Sequence, residues 1–274
     1  MSRTVKFAKS SGHPEAITLR DREILQSLGT FQRLSQDQIR RLFFSRNGAL
    51  ASQQAAWARL QRLCDRKLLE RWRLPAAKGS GPFLYELSPT GKRIMGISSR
   101  LHARTRWSAE HDLGVAEFYV SLSEALRAEV GKLKDWMSPE QASFATTRGR
   151  LSPDAAFGWE KAGLEGSCFL EWDRGTQSLA TFAEKLERYD EYYQLRRYRD
   201  HLGDPLKPRL LVVCGDGERE ERVLGYVIAK SSRFAHLPTI FVSTRDKAVS
   251  APLGSVWRTP SVADVALRFW EPSL

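Results

Sequence analysis

The stretch Ala51–Leu87 narrows the possible folds more than any other, because a helical pattern gives way within a few residues to a hairpin. Ala56, Leu60, Leu63 and Cys64 recur at helical spacing and form one apolar stripe. Ser52, Gln53, Gln54, Arg59, Arg62 and Arg66 lie largely off it. Leu68, Leu69, Trp72 and Leu74 then read as a strand. Pro75–Pro82 is a Gly/Pro loop with Lys78 at its tip, and Phe83, Leu84, Tyr85 and Leu87 return as a second strand. Small polar and amide groups at a helix start suit base edges. Arginines further along suit bases or phosphates, and a lysine at a hairpin tip suits a phosphate. The expected nucleic-acid contacts are therefore Ser52, Gln53, Gln54, Arg59, Arg62, Arg73 and Lys78. The plain alternative is a helix and hairpin whose charges are only solvated.

The preceding residues supply what such a unit needs. Thr18 caps a helix with Leu19, Ile24, Leu25 and Leu28 on its buried face, and Gly29 is expected to stop it. Ser35 and Gln38 form a capping box that opens a second helix from Gln36 to Phe44. Asn47-Gly48 makes a turn, and Ser88-Pro89 starts a further helix after the hairpin. Three short helices followed by a two-stranded wing resemble the winged helix-turn-helix of bacterial DNA-binding proteins, over residues 18–96. The resemblance implies a double-stranded DNA partner; protein or RNA binding stays open.

Charge agrees with that placement. Of the net +11, residues 1–107 carry 21 Lys+Arg against 7 Asp+Glu, whereas the remainder carries 22 against 25. A basic front on a near-neutral rear points to nucleic acid at the front. Residues 1–17 read as a basic arm and 97–108 as a linker, leaving 109–274 as a second domain. No apolar run approaches the roughly 20 residues that span a bilayer, and no secretory signal is visible, so the expectation is a cytoplasmic protein without a membrane partner. Cys64, Cys168 and Cys214 are widely separated, which excludes a disulfide framework and fits a reducing setting.

From Ala109 the pattern is α/β. A long helix reaches about Val130, with a strand near Phe144-Ala145 and others over 151–159 and 167–173. A charged helix over 178–198, a continuous apolar strand over 208–214, a helix over 217–231 and a strand over 239–243 complete it, implying layers around a mixed sheet. Pro153-Asp154 lies on one strand and Glu171-Trp-Asp173 on the next, where residues 171 and 173 share a face. Three converging carboxylates would suit a hard cation such as Mg²⁺, which activates water against a phosphodiester. The element order with Pro-Asp and a following Glu resembles the PD-(D/E)xK nuclease fold. Asp154 and Glu171 match its acids, but Asp173 stands where its lysine belongs. Lys185, on the following helix, is the substitute, and Glu117 a candidate fourth carboxylate. The plain alternative pairs these acids with Arg196, Arg197 and Arg199. His111 is a candidate ligand or a cap.

Taken together, the front unit with Ser88-Pro-Thr-Gly, the helix start His111-Asp-Leu-Gly-Val-Ala-Glu, Leu151-Ser-Pro-Asp154 and Phe169-Leu-Glu-Trp-Asp-Arg-Gly-Thr176 resemble the bacterial replication-relaxation family of plasmids and other mobile elements. That resemblance implies a role in replication or DNA relaxation. Two other functions stay open: a Mg²⁺-dependent nicking endonuclease using Asp154, Glu171, Asp173 and Lys185, and a transcriptional regulator with a dimerising or sensing rear domain. A homodimer is expected by analogy with winged-helix proteins.

Overall fold

The computed structural model describes residues 17–46, 49–74, 81–97, 104–202 and 207–271. Thr18 opens α1 (Leu19–Phe31) by a reciprocal cap, its hydroxyl accepting from Asp21 N–H while the Asp21 carboxylate accepts from Thr18 N–H. The helix runs past Gly29, because Phe31 gains buried ring contacts with Tyr119 and Trp136 at 4.7 and 5.7 Å. After β1 (Leu34–Ser35), the Ser35–Gln38 box starts α2 (Gln36–Phe43). Strands β2 (Ser45–Arg46) and β3 (Ala49–Leu50) pair around positions 47–48, so the expected Asn47-Gly48 turn lies outside the described residues. Ser52 caps α3 (Gln53–Asp65), which buries Ala56, Leu60 and Leu63. Strands β4 (Leu69–Arg73) and β5 (Phe83–Leu87) pair antiparallel, and β1 closes the sheet in the order β1-β5-β4. Helix α4 (Pro89–Met95) follows with proline in its first turn.

Helix α5 (Arg106–Ala128) begins three residues before the expected start, because the Thr105 hydroxyl accepts from Ser108 N–H and nucleates a turn there. The next elements are β6 (Lys132–Met137), α6 (Pro139–Ala142), β7 (Phe144–Thr146), β8 (Gly149–Leu151), β9 (Ala155–Lys161), β10 (Leu164–Asp173), α7 (Leu179–Gln194) and α8 (Tyr198–His201). Then come β11 (Arg209–Cys214), α9 (Gly217–Ala229), β12 (Ile240–Thr244) and α10 (Arg245–Ser250). The main sheet has the order β12-β11-β10-β9-β6. Strands β10, β11 and β12 are parallel, while β9 pairs antiparallel with both β10 and β6, so the sheet is mixed and the class is α/β.

Two strand expectations need correction. The stretch 151–159 is not one strand. Leu151 ends β8, which pairs with β7 in a separate ribbon, and Ala155 opens β9 in the main sheet. Pro153 lies at the break, where it has no N–H to offer a ladder. The edge strand β6 was not anticipated, since its bulged, partly exposed Lys-Leu-Lys-Asp-Trp-Met segment lacks clean alternation.

Side-chain alternation along β10 sets the layers. Phe169 packs with α7 and α9, while Cys168, Leu170 and Trp172 pack on the opposite face with α5 and the C-terminal Trp257 and Phe269. Helix α5 is buried on two sides. Val115, Phe118, Leu122 and Leu126 join this rear core, whereas Ala116 joins the core of the front unit and Tyr119 packs against it. Polar contacts fasten the same joint. Gln38 donates to Leu113 O at 2.9 Å and to Glu117 at 3.0 Å, and Arg41 clasps both Glu117 and Glu124. Among the described residues no helix is long and apolar enough to cross a membrane.

Gly114 marks how closely α5 meets the sheet, since a Cβ there would stand 2.3 Å from Trp172 Nε1. Replacing Gly114 by alanine is expected to destabilise the protein by about 1–3 kcal/mol through overpacking, despite the better helix propensity of alanine. The denaturant midpoint measures this. A midpoint that rises would contradict the close packing.

Candidate functional site

The surface of α3 comes first. With Ala56, Leu60 and Leu63 turned inward, Gln53, Gln54 and Trp57 lie exposed on the outer face, Trp57 with 39% of its surface open. Exposure of a large aromatic beside two amides is the feature that spacing alone did not reveal. Two expected contact residues have other duties. Arg59 is bound to Asp21 through both carboxylate oxygens and donates to Thr18 at 3.1 Å, tying α3 to the cap of α1. Asp21 is fully buried. Burial pushes its carboxyl up, but Arg59 and the Thr18 bonds outweigh that and hold it below the usual range. Ser52 is occupied as the α3 cap, accepting from Ala55 N–H. Arg62 is exposed. Arg73 is exposed too, with its guanidinium 3.8 Å over the Phe83 ring and bonded to Gly81 O at 3.0 Å. Lys78 lies outside the described residues.

The acids of the rear sheet form a second site, at the end of β10. Asp154 stands just before β9. Its N–H bonds Leu170 O at 3.0 Å and its Oδ2 accepts from Trp172 N–H at 2.6 Å, so the backbone of β10 fixes it. Its Oδ1 faces His111 Nε2 of α5 at 3.3 Å. Glu171, near the C-terminal end of β10, is turned to the α7 side, where Lys185 donates to Oε2 and Tyr189 to Oε1, the latter at 2.6 Å. Lys185 and Tyr189 are one helical turn apart and share a face of α7. Trp107, 56% exposed at the start of α5, and Arg174 stand at the mouth of the same small cavity.

Asp173 does not join the other two acids as expected. It lines the cavity, but its Oδ2 takes Arg219 of α9 at 2.8 Å and its Oδ1 takes Gly175 N–H at 2.7 Å. Its partner is thus Arg219, not the Arg196–Arg199 segment. Glu117 lies at the α2–α5 joint on Arg41 and is no part of this cluster. Arg174 lines the cavity and pairs with Glu110. A divalent cation needs several carboxylate oxygens converging on one point. Here each oxygen of Asp154, Glu171 and Asp173 already faces a donor of the chain. Among the described residues no three His, Cys, Asp or Glu side chains group as a metal-binding set. The donor set does not fit the expected Mg²⁺ triad, and Lys185 supplies positive charge in its place.

A family profile described as replication-relaxation matches residues 25–204, well over half of the chain. The chain belongs to the replication-relaxation family. The match includes α3, the two-sided helix α5 and the whole Asp154–Glu171–Lys185 cluster, and stops before β11. No curated protein and no solved structure matches it.

In this replication-relaxation protein the cluster is a balance of opposed charges in a buried place. Burial pushes the Glu171 carboxyl up to about 7, with Asp154 adding to the rise and Lys185 opposing it. Burial would lower His111, but the Asp154 carboxylate reverses that and raises it. Burial would raise Asp154, and Lys185 with His111 holds it low instead. The Lys185 ammonium, which burial would weaken, is kept protonated by Glu171 and Asp154. The arrangement can therefore hold one exchangeable proton on Glu171, between a lysine and a tyrosine, near neutral pH.

The signs of these shifts give a pH dependence. Glu171 stabilises the fold fully below its ordinary value of 4.5 and loses that contribution as pH rises through about 7. His111 acts in the same direction, from 6.5 up through its raised value. Asp154 acts oppositely, stabilising above 3.8 and losing this as pH falls through its lowered value. Stability by urea denaturation is expected to fall between pH 4.5 and 7 in the wild type and to fall less steeply in Glu171→Gln. Equal slopes would mean that Glu171 titrates as an ordinary carboxylate.

Proposed function

We propose that this protein binds double-stranded DNA through a winged helix-turn-helix formed by α1 to β5, and acts in replication or DNA relaxation. The observation that carries this reading is the outer face of α3. Gln53, Gln54 and Trp57 are open to solvent on a helix whose inner face is core, and the β4–β5 hairpin follows directly. A helix of about 10–12 Å diameter fits the major groove of roughly 12 Å. Amides suit adenine edges there, and the exposed Arg62, Arg71 and Arg73 have the charge that phosphates attract. Membership of the replication-relaxation family supports a DNA partner, as does the excess of basic residues over residues 1–107.

In this reading Arg59 supports the helix rather than touching DNA, and Asp154, Glu171 and Lys185 form a self-neutralised pocket in the rear sheet. The pocket suits proton exchange or assembly better than metal-assisted cleavage, because among the described residues no three acidic, histidine or cysteine side chains gather as a metal-binding set.

One titration on supercoiled plasmid, with and without Mg²⁺ and read for both gel shift and nicking, tests the proposal. The expected outcome is a shift that weakens steeply with salt, no nicking, and no change in Asp154→Ala. Gln53→Ala and Gln54→Ala are expected to reduce preference between sequences by about 1–3 kcal/mol per lost bidentate contact. Absence of any shift would overturn DNA binding. Metal-dependent nicking lost in both Asp154→Ala and Glu171→Ala would instead make the protein an endonuclease.

A further inference from the structure

The ribbon β7–β8 stands outside the main sheet, and its two faces differ. Phe144 and Leu151 are cross-strand partners on the inner face and pack into the core beside α7. Ala145 and Arg150 are partners on the outer face, and both are exposed, as are Thr147, Arg148 and Gly149 at the turn. The end of α7 is fastened to this ribbon. Arg197 donates to Ala145 O at 2.8 Å, across the ribbon from Arg150, and Arg188 donates to Arg148 O at 3.3 Å. Phe144 faces His201 of α8, with ring centres 5.3 Å apart.

Positions 145–150 and 194–199 are thereby brought together. They hold five arginines and no acid, in a rear half where acids outnumber bases. The acids of α7 behind them are engaged. Glu187 pairs with Arg148 and Arg233, Arg188 approaches Glu184 at 3.7 Å, and Glu191 accepts from the N–H and hydroxyl of Thr147 at 2.7 Å. Arg150, Arg196 and Arg199 are exposed and have no ion pair among the described residues. The exposed Asp200 borders the patch and offsets part of its charge. Arg196 carries a further mark. Its φ of 52° is left-handed, and it closes α7 by bonding Tyr193 O while Arg197 N–H bonds Tyr192 O. Glycine fits this position with less strain, yet an exposed arginine occupies it.

We propose that the β7–β8 ribbon and the end of α7 form a second contact for duplex DNA, in which these arginines hold phosphates without reading bases. Guanidinium groups suit phosphate oxygens through paired N–H donors. Tyr192, Tyr193 and Tyr198 are buried, so these rings offer no platform for the unpaired bases of a single strand. The proposal rests on the DNA-binding reading of the front unit and adds to it a sequence-independent contact on the rear domain.

The test is a fluorescence-anisotropy titration of the full-length chain with a labelled duplex at several salt concentrations. The wild type is compared with a variant carrying Arg150→Gln, Arg196→Gly and Arg199→Gln. The variant should bind about tenfold or more weakly, with a log–log salt slope shallower by about 2–3, since each lost phosphate contact removes ~0.9. Its ranking of different duplex sequences should match that of the wild type, because phosphate contacts carry no base information. Arg150→Gln alone, at an exposed strand position, should lower the slope by ~0.9 and keep the unfolding midpoint, which separates lost contacts from lost fold. Equal affinity and slope in the wild type and the triple variant would overturn this contact and leave the front reading standing. No duplex binding by the wild type would overturn both. A loss confined to a single strand of the same length would also overturn the duplex contact.

Discussion

Helix α5 is the contact on which the rest of the structure depends. A surface helix buries one stripe, but α5 must satisfy a core on either side. Phe118 and Leu122 serve the rear sheet, and Ala116 and Tyr119 serve the front unit. The small Ala116 and the glycine at 114 let neighbours approach closely, and Trp172 fills the space beside Gly114. Arg41, clasping Glu117 and Glu124, adds half-buried ion pairs to this packing. Such pairs contribute geometry as much as energy, because both long carboxylates must be held to meet one guanidinium. The consequence reaches function. Helix α2 is locked to α5, α3 packs on α1 through Arg59 and Asp21, and His111 of α5 touches Asp154. The exposed face of α3 and the buried acids therefore share one frame.

The acid cluster shows how a buried charge is tolerated in that frame. An isolated carboxylate inside a sheet would be too costly to keep ionised. Glu171 is held by a lysine and a tyrosine from one face of α7, and Asp154 by a histidine and a backbone N–H. Within the pocket the two acids face Lys185 and His111. Removing one partner would leave the other charge exposed to a low-dielectric interior, which is why the four groups stand or fall together.

Much of this was legible in the sequence, for physical reasons that differ between elements. The caps at Thr18, Ser35 and Ser88 and the apolar runs of β10, β11 and β12 are local signals, and they mark their elements well. The 171–185 partnership was also within reach, since Lys185 was the nearest cation on the next helix. Tyr189 was missed although it lies four residues beyond Lys185, a spacing that puts both on one helix face. Other features depend on tertiary contact and left no local trace. The Arg59–Asp21 bond spans 38 residues and the Asp173–Arg219 bond 46, so neither helix pattern nor strand alternation announces them. The edge strand β6 was hidden by its charged, bulged sequence, and Pro153 split a run that looked continuous.

The most direct test of DNA recognition by α3 is site-specific photo-cross-linking to a duplex, with p-benzoylphenylalanine placed at position 54 or at the exposed position 228 on α9. Cross-linking from position 54 and none from position 228 is the result expected if α3 enters the groove. Cross-linking from 228 alone would contradict the account and move the DNA to the rear sheet.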